Sequence, residues 1–88
     1  MNNRTVITRN FGHIAQVIGV DVANRVPLNI KVTIVKSDDW RIGAYLQCNH
    51  DGISELLSDW GVYNISNGNG DSDMFSITDA EWRALEAV

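Results

Sequence analysis

The chain has 88 residues, of which 44% are hydrophobic and 8% aromatic, and its formal net charge is −4. This length allows one domain with a modest core, and the aromatic content excludes a disordered chain. One cysteine excludes an internal disulfide framework, and no apolar run is long enough for a membrane-spanning helix or a secretory signal. We therefore expect a single cytoplasmic domain over residues 1–88.

The charge is unevenly divided along the chain. Residues 1–48 carry six basic and three acidic residues, a balance of +3, whereas residues 49–88 carry one basic and eight acidic residues, a balance of −7. An acidic surface repels nucleic-acid phosphates and attracts basic partners, so we do not expect direct binding of nucleic acid. The alternative is that the acidic residues only keep the protein soluble.

The first part of the chain predicts an edge strand followed by a helix. Residues 3–9 alternate β-branched and polar side chains, which favours a short strand. The helical spacing over 11–18 is that of Phe11, Ile14, Ala15 and Ile18. Asn10 and Gly19 are suited to capping this helix, although its β-branched residues leave a strand as the alternative.

Residues 11–28 are also similar in spacing to a helix-turn-helix, with a second helix over about 22–26. Pro27 would end that helix before it could fill a major groove, and Arg25 is its only basic residue. A DNA-binding regulator that uses residues 11–28 is therefore an alternative, and not the leading prediction.

Residues 29–48 have the clearest β pattern. Apolar and polar residues alternate on both sides of a short polar turn, which predicts a β-hairpin with one buried face. The positions expected to face the core are Ile30, Val32, Ile34, Ile42, Ala44, Leu46 and Cys48. Arg41, Gly43, Tyr45 and Gln47 are expected on the opposite face. An exposed edge of this hairpin would also permit a homodimer.

A second helix is predicted over residues 51–61. Its apolar stripe has the spacing i, i+3, i+4 and i+7, formed by Ile53, Leu56, Leu57 and Trp60. Asp51 is suited to the N-cap, and Gly61 is expected to end the helix.

The last part of the chain predicts two strands, over 61–66 and 74–77, separated by a loop rich in Asn-Gly pairs. Thr78 and Glu81 have the spacing of a capping box, which predicts a third helix over 79–88. We therefore expect a small single-domain α+β fold. Its mostly antiparallel sheet would have four to five strands, with two to three short helices packed on one face.

Two groups of residues could carry chemistry. Cys48 and His50 lie where the hairpin meets the second helix, as a thiol nucleophile and its base would, and a small enzyme or ligand-binding protein is a further alternative. We expect both residues to be structural instead, because free cysteines are usually buried. With His13 they supply too few ligands for zinc, and the loop 69–81 departs from the register of a calcium loop. No cofactor or metal is expected.

The remaining candidates are tryptophans and acidic residues. Trp40 lies at the hairpin turn, and tryptophan is enriched where proteins bind one another. The candidate partner-binding residues are Asp38, Asp39, Trp40, Glu55, Asp59, Asp71, Asp73 and Asp79. We predict a non-enzymatic, acidic, protein-binding module. Its profile is similar to that of small phage or mobile-element inhibitors, which would occupy a basic nucleic-acid-binding surface of a target such as nucleic-acid-handling machinery.

Overall fold

The computed structural model describes residues 3–66 and 72–87. Within these ranges it contains, in chain order, β1 (Arg4–Asn10), α1 (Phe11–Ile18), β2 (Lys31–Ser37), β3 (Ala44–Cys48), α2 (Asp51–Asp59), β4 (Asp73–Ile77) and α3 (Asp79–Glu86). The four strands form an antiparallel sheet in the order β1-β2-β3-β4. The predicted α+β class is confirmed, with four strands and three helices in the described part of the chain.

The core lies between one face of the sheet and the three helices. A row of directly paired residues crosses the sheet at its centre, formed by Ile7, Ile34, Leu46 and Phe75. The helices bury their apolar stripes against this face through Phe11, Ile14, Ala15, Ile53, Leu56, Leu57, Trp82 and Leu85. The predicted buried alternation is confirmed for Val32, Ile34, Ala44, Leu46 and Cys48, while Ile30 is half-buried.

The opposite face of the sheet also holds buried residues. Val35 and Tyr45 pair directly across β2 and β3, and only 2% and 6% of their surfaces are exposed. The expectation that Tyr45 faces solvent was therefore wrong. A β-branched residue and an aromatic residue directly opposite each other are a favourable cross-strand pair, so this face of the sheet is not uniformly polar.

The start of α1 is held by neighbouring backbone and not by its predicted cap. Asn10 occupies the N-cap position, but its side chain makes no capping hydrogen bond. The amide of Phe11 donates to the carbonyl of Ile30 at 2.8 Å, and that of Gly12 donates to Leu28 at 2.9 Å. Because these carbonyls satisfy the first free N–H groups, a side-chain cap is not needed. Gly19 ends the helix at φ +80°, as predicted.

α2 (Asp51–Asp59) departs from the prediction at its N-cap and at Trp60, and Gly61 ends it as predicted. His50, and not Asp51, is the N-cap, and its Nδ1 accepts a hydrogen bond from the amide of Ile53 at 3.2 Å. Trp60 lies at the C-cap with 51% of its surface exposed, so its expected place in the buried stripe was wrong. Gly61 follows at φ +77°, in the left-handed conformation that closes helices.

The capping box of α3 is confirmed. The amide of Glu81 donates to Thr78 Oγ1 at 3.1 Å, and the amide of Thr78 donates to Glu81 Oε1 at 2.8 Å. Ile77 before the cap and Trp82 after it are both buried, as a hydrophobic staple requires.

One further expectation was wrong, and two of the alternatives lack the element that they required. Residues 61–66 form no strand and make one bridge to β4, between Asn64 and Phe75. Residues 20–30 contain turns and no second helix, with Ala23 and Asn24 at positive φ, so the helix-turn-helix is absent from this segment. The hairpin has no exposed edge for a homodimer either, because β2 and β3 are the two central strands of the sheet.

Candidate interaction surface at the hairpin tip

The turn between β2 and β3, residues 38–43, is called the hairpin tip below. Its backbone is closed by hydrogen bonds from the amides of Ile42 and Gly43 to the carbonyl of Asp39, at 2.9 and 3.0 Å. Ser37 Oγ accepts from the amide of Asp39 at 3.1 Å. Gly43 has φ +67°, a conformation that favours glycine and returns the chain to β3. The tip is therefore a closed turn with a defined path.

Asp39 and Arg41 hold the tip together from its side chains. The Arg41 guanidinium donates to both carboxylate oxygens of Asp39, at 3.0 and 2.9 Å, and the Arg41 amide donates to one of them at 3.0 Å. These bonds hold the pKa of Asp39 below its usual value and raise that of Arg41. The negative charge of Asp39 is thus balanced by Arg41 within the tip, and Asp39 is a positioning residue for the turn.

Trp40 lies between these two residues and projects from the tip. Its exposed fraction is 87%, and the nearby Ile42 is 41% exposed, so the expectation that Ile42 faces the core was wrong. Both residues lie in the turn before β3 begins at Ala44, where the alternation of the strand does not apply. The result is an indole on a closed turn without cover from the described part of the protein.

A cavity of about 330 Å³ lies beside the tip. Its walls are formed by Arg4, Ser37, Ile42 and Tyr45. Arg4 pairs with Ser37 in the ladder between β1 and β2, which brings the start of the chain to this end of the sheet. The tip and the cavity share Ile42, so they form one continuous surface. Arg4 and Tyr45 were not predicted as parts of this surface, because only the strand register places them there.

The candidate acidic residues do not all meet at this surface. Asp38 accepts from the amide of Asn3 at 3.2 Å, and Asp79 forms an ion pair with Lys36 at the same end of the sheet. That pair lowers the pKa of Asp79. Asp38 and Asp79 are therefore the two candidate carboxylates that accompany Asp39 near the tip.

The other acidic candidates lie elsewhere. Glu55 and Asp59 are exposed on α2, where Asp59 forms an ion pair with Arg25 at 2.8 Å. Asp73 pairs with Cys48 at the far end of β4 and accepts from Asn64 at 3.3 Å. Asp71 lies outside the described residues, as do residues 69 and 70 of the loop that was compared with a calcium loop. A single acidic surface made of all these residues remains a prediction.

Cys48 and His50 have structural contacts. The Cys48 thiol is buried at 2% exposure, and Sγ lies 3.5 Å from the backbone N and 3.6 Å from the backbone O of His50. The His50 ring uses Nδ1 to cap α2. The interactions of Sγ are thus with the His50 backbone and with Ser54 Oγ at 3.8 Å, whereas a nucleophile needs its base within hydrogen-bond reach.

A larger, more open cavity of about 560 Å³ lies between α1 and the turns that follow it, with Gln16, Asp21 and Asn24 among its walls.

In residues 3–66 and 72–87, no three His, Cys, Asp or Glu side chains are close enough together to hold a metal ion. Over the same residues, no helix has the length and hydropathy needed to cross a membrane. Comparisons with protein-family models, curated proteins and solved structures find no match to this chain.

Proposed function

We propose that this protein is a non-enzymatic binding module that docks another protein through its hairpin tip. The observation that carries the proposal is the 87% exposure of Trp40 on a turn closed by Asp39 and Arg41. Tryptophan buries a large area on docking and loses little conformational entropy when its backbone is already fixed. Such residues dominate the binding energy of many interfaces.

The residues around the indole define the kind of partner. Ile42 extends the apolar contact toward the cavity, and Asp38 and Asp79 add carboxylates at the same end of the sheet. A matching partner surface has an apolar pocket for Trp40 with basic residues at its rim. The net charge of −4 would steer the protein toward such a surface.

In its narrower form, the proposal makes the target a nucleic-acid-handling protein whose basic, phosphate-binding surface is occupied, as by a phage-type inhibitor. The exposed carboxylate of Asp38 at the tip supports this form. Its affinity should fall steeply as salt rises, since each ionic contact is screened. An affinity that does not change between low and high salt would exclude it.

The single buried thiol fits the reducing cytoplasm as the location of this protein.

A photo-crosslinking amino acid at position 40 tests the docking itself. Position 60 is the matched control, because Trp60 is also exposed but lies at the end of α2. In cells that naturally produce the protein, we expect one dominant adduct from position 40 and none from position 60. With the purified partner, Trp40→Ala should weaken binding by roughly 30-fold or more, and Trp60→Ala should leave it unchanged. Equal adducts at both positions, or an unchanged affinity for Trp40→Ala, would refute the proposal.

A further inference from the structure

The two edges of the sheet are treated differently by the protein. At the β4 edge, the amide of Ser76 donates to the carbonyl of Tyr63 at 2.8 Å, and the amide of Ile65 donates to the carbonyl of Met74 at 2.7 Å. Residues 62–66 thus cover this edge although they form no full strand. At the β1 edge, no backbone of residues 3–66 or 72–87 pairs with the outer side of the strand.

The register of β1 shows which of its backbone groups point outward. The carbonyl of Asn3 accepts from the amide of Asp38, and the amide of Phe11 donates to the carbonyl of Ile30. These two residue pairs are therefore hydrogen-bonded pairs in the register of β1 with β2. In an antiparallel ladder such pairs alternate with pairs whose backbone groups face away. The outward groups of β1 are therefore those of the even-numbered residues, including Arg4, Val6 and Thr8.

One end of this row is already occupied. The carbonyl of Thr8 accepts from Arg9 Nη1 at 2.8 Å, and Arg9 also donates to the carbonyl of Leu85. Nearer the cavity, an amide and a carbonyl of both Arg4 and Val6 have no backbone partner among residues 3–66 and 72–87, and 58% of the Val6 surface is exposed. The open stretch of the edge thus runs from Arg4 to the amide of Thr8.

We propose that this stretch of β1 accepts an extended, acidic segment of a partner protein, which adds to the sheet as a fifth strand. Edge strands bind peptides in this way, with backbone hydrogen bonds for affinity and alternate side chains for specificity. An apolar residue of the segment would lie against Val6, and a carboxylate would lie beside Arg4. This mode of binding is independent of the Trp40 contact.

Charge determines the occupant. β1 carries Arg4 and Arg9 and no acidic residue. A second copy of the protein, paired through the same strand, would place four arginines along one seam and would need the Arg9 side chain moved in both copies. Like charges across a strand pair destabilise it. An acidic segment instead adds attraction at Arg4 and leaves the bond between Arg9 and Thr8 in place.

The probe is a displayed library of random nine-residue peptides, selected against the wild-type protein. We expect enriched peptides to alternate apolar and polar residues and to carry Asp or Glu. Their binding should shift the amide NMR signals of Arg4, Val6 and Thr8. Replacing the acidic residue of a peptide by Lys should weaken binding about two- to fivefold, the range of one exposed ion pair. Enriched peptides without acidic residues, or with shifts confined to other elements, would overturn the proposal.

Val6→Pro removes the outward amide and retains the ladder to β2, where Val6 donates nothing, so we expect a roughly tenfold or greater loss of peptide affinity. Val6→Ala keeps the amide and is the matched control, with at most a small loss. Peptide N-methylation gives a second readout on the unaltered protein. N-methylation at alternate peptide positions should abolish binding, and N-methylation at the positions between them should not. Binding that survives N-methylation at every position would overturn the proposal.

The same measurements separate this inference from the proposed function. Trp40→Ala should bind the peptides with the affinity of the wild type, even when it weakens binding of the partner at the hairpin tip. Sedimentation equilibrium without peptide should give a monomer. A dimer that Val6→Pro dissociates would show that a second copy occupies β1, and would overturn the acidic segment as occupant.

Discussion

Trp40 and Trp82 form a natural pair for a test of the docking model, because they are the same residue in opposite environments. Trp40 is 87% exposed at the hairpin tip, and Trp82 is 5% exposed against the core. If Trp40 is exposed in order to bind a partner, Trp40→Ala must leave the free energy of unfolding of the free protein almost unchanged. If it contributes to the fold, a loss of binding in Trp40→Ala would only report unfolding.

The expected magnitudes follow from the buried areas. An indole side chain buries about 200 Å² when fully covered, worth about 5 kcal/mol at 25 cal/mol per Å². With 5% of Trp82 exposed, nearly all of this is lost in Trp82→Ala, and measured losses for such core changes are about 3–5 kcal/mol. With 87% of Trp40 exposed, the corresponding loss in Trp40→Ala is about 0.7 kcal/mol or less.

Urea unfolding followed by far-ultraviolet circular dichroism measures both free energies, and it does not depend on the tryptophan signal that each variant loses. We expect the midpoint of Trp40→Ala to remain close to that of the wild type, with an unchanged slope. Trp82→Ala should lose most of the stability of a domain this small. A loss above roughly 1.5 kcal/mol in Trp40→Ala would refute the picture of an uncovered indole, and with it the basis of the docking model.

Four other changes test local features. Thr78→Ala removes the cap of α3 and should lower the free energy of unfolding in urea by about 1 kcal/mol, whereas no change would mean that the capping box is dispensable. Because Lys36 holds the pKa of Asp79 below its usual value, their ion pair stabilises the fold at neutral pH and is lost as the pH falls through the folded-state pKa. Asp79→Asn should therefore show a shallower fall in stability than the wild type as the pH is lowered into the acid range, and parallel curves would argue against the pair. The Cys48 thiol should react slowly with iodoacetamide until urea is added, and fast labelling of the native protein would contradict its burial. His13 Nε2 is buried without a hydrogen-bond partner in the described residues, so His13→Leu should raise the free energy of unfolding by about 1 kcal/mol, and a loss would mean that the imidazole has a partner.

Features set by neighbouring residues were predictable from the sequence. The capping box of Thr78 and Glu81 depends on a spacing of three residues, and Gly19 ends α1 because few other residues tolerate its positive φ. The hairpin was also local, since its two strands are joined by a turn of six residues, 38–43. In each case the interacting groups lie close together in the chain, so their types and spacing were sufficient evidence.

Features that depend on distant pairing were not predictable. The cavity beside the tip needs Arg4 next to Ser37, and only the register between β1 and β2 places them together. The alternating pattern of β3 was extended too far toward the turn, so Ile42 was expected inside the strand. β3 begins at Ala44, and Ile42 lies before it. Asn10 occupies the predicted N-cap of α1, but the first helical amides donate to the carbonyls of Leu28 and Ile30, which a long loop brings back to the helix.

The order of the strands also bears on how this protein folds. Every strand pairs with the strand before it in the chain, so the sheet can grow by successive addition without any crossing connection. The hairpin of β2 and β3 closes the shortest loop and is the cheapest nucleus in conformational entropy, whereas β1 and β4 each enclose a helix before they dock. We expect amide hydrogen exchange to be slowest in β2 and β3 and fastest in β1, whose outer edge pairs with no backbone of the described residues.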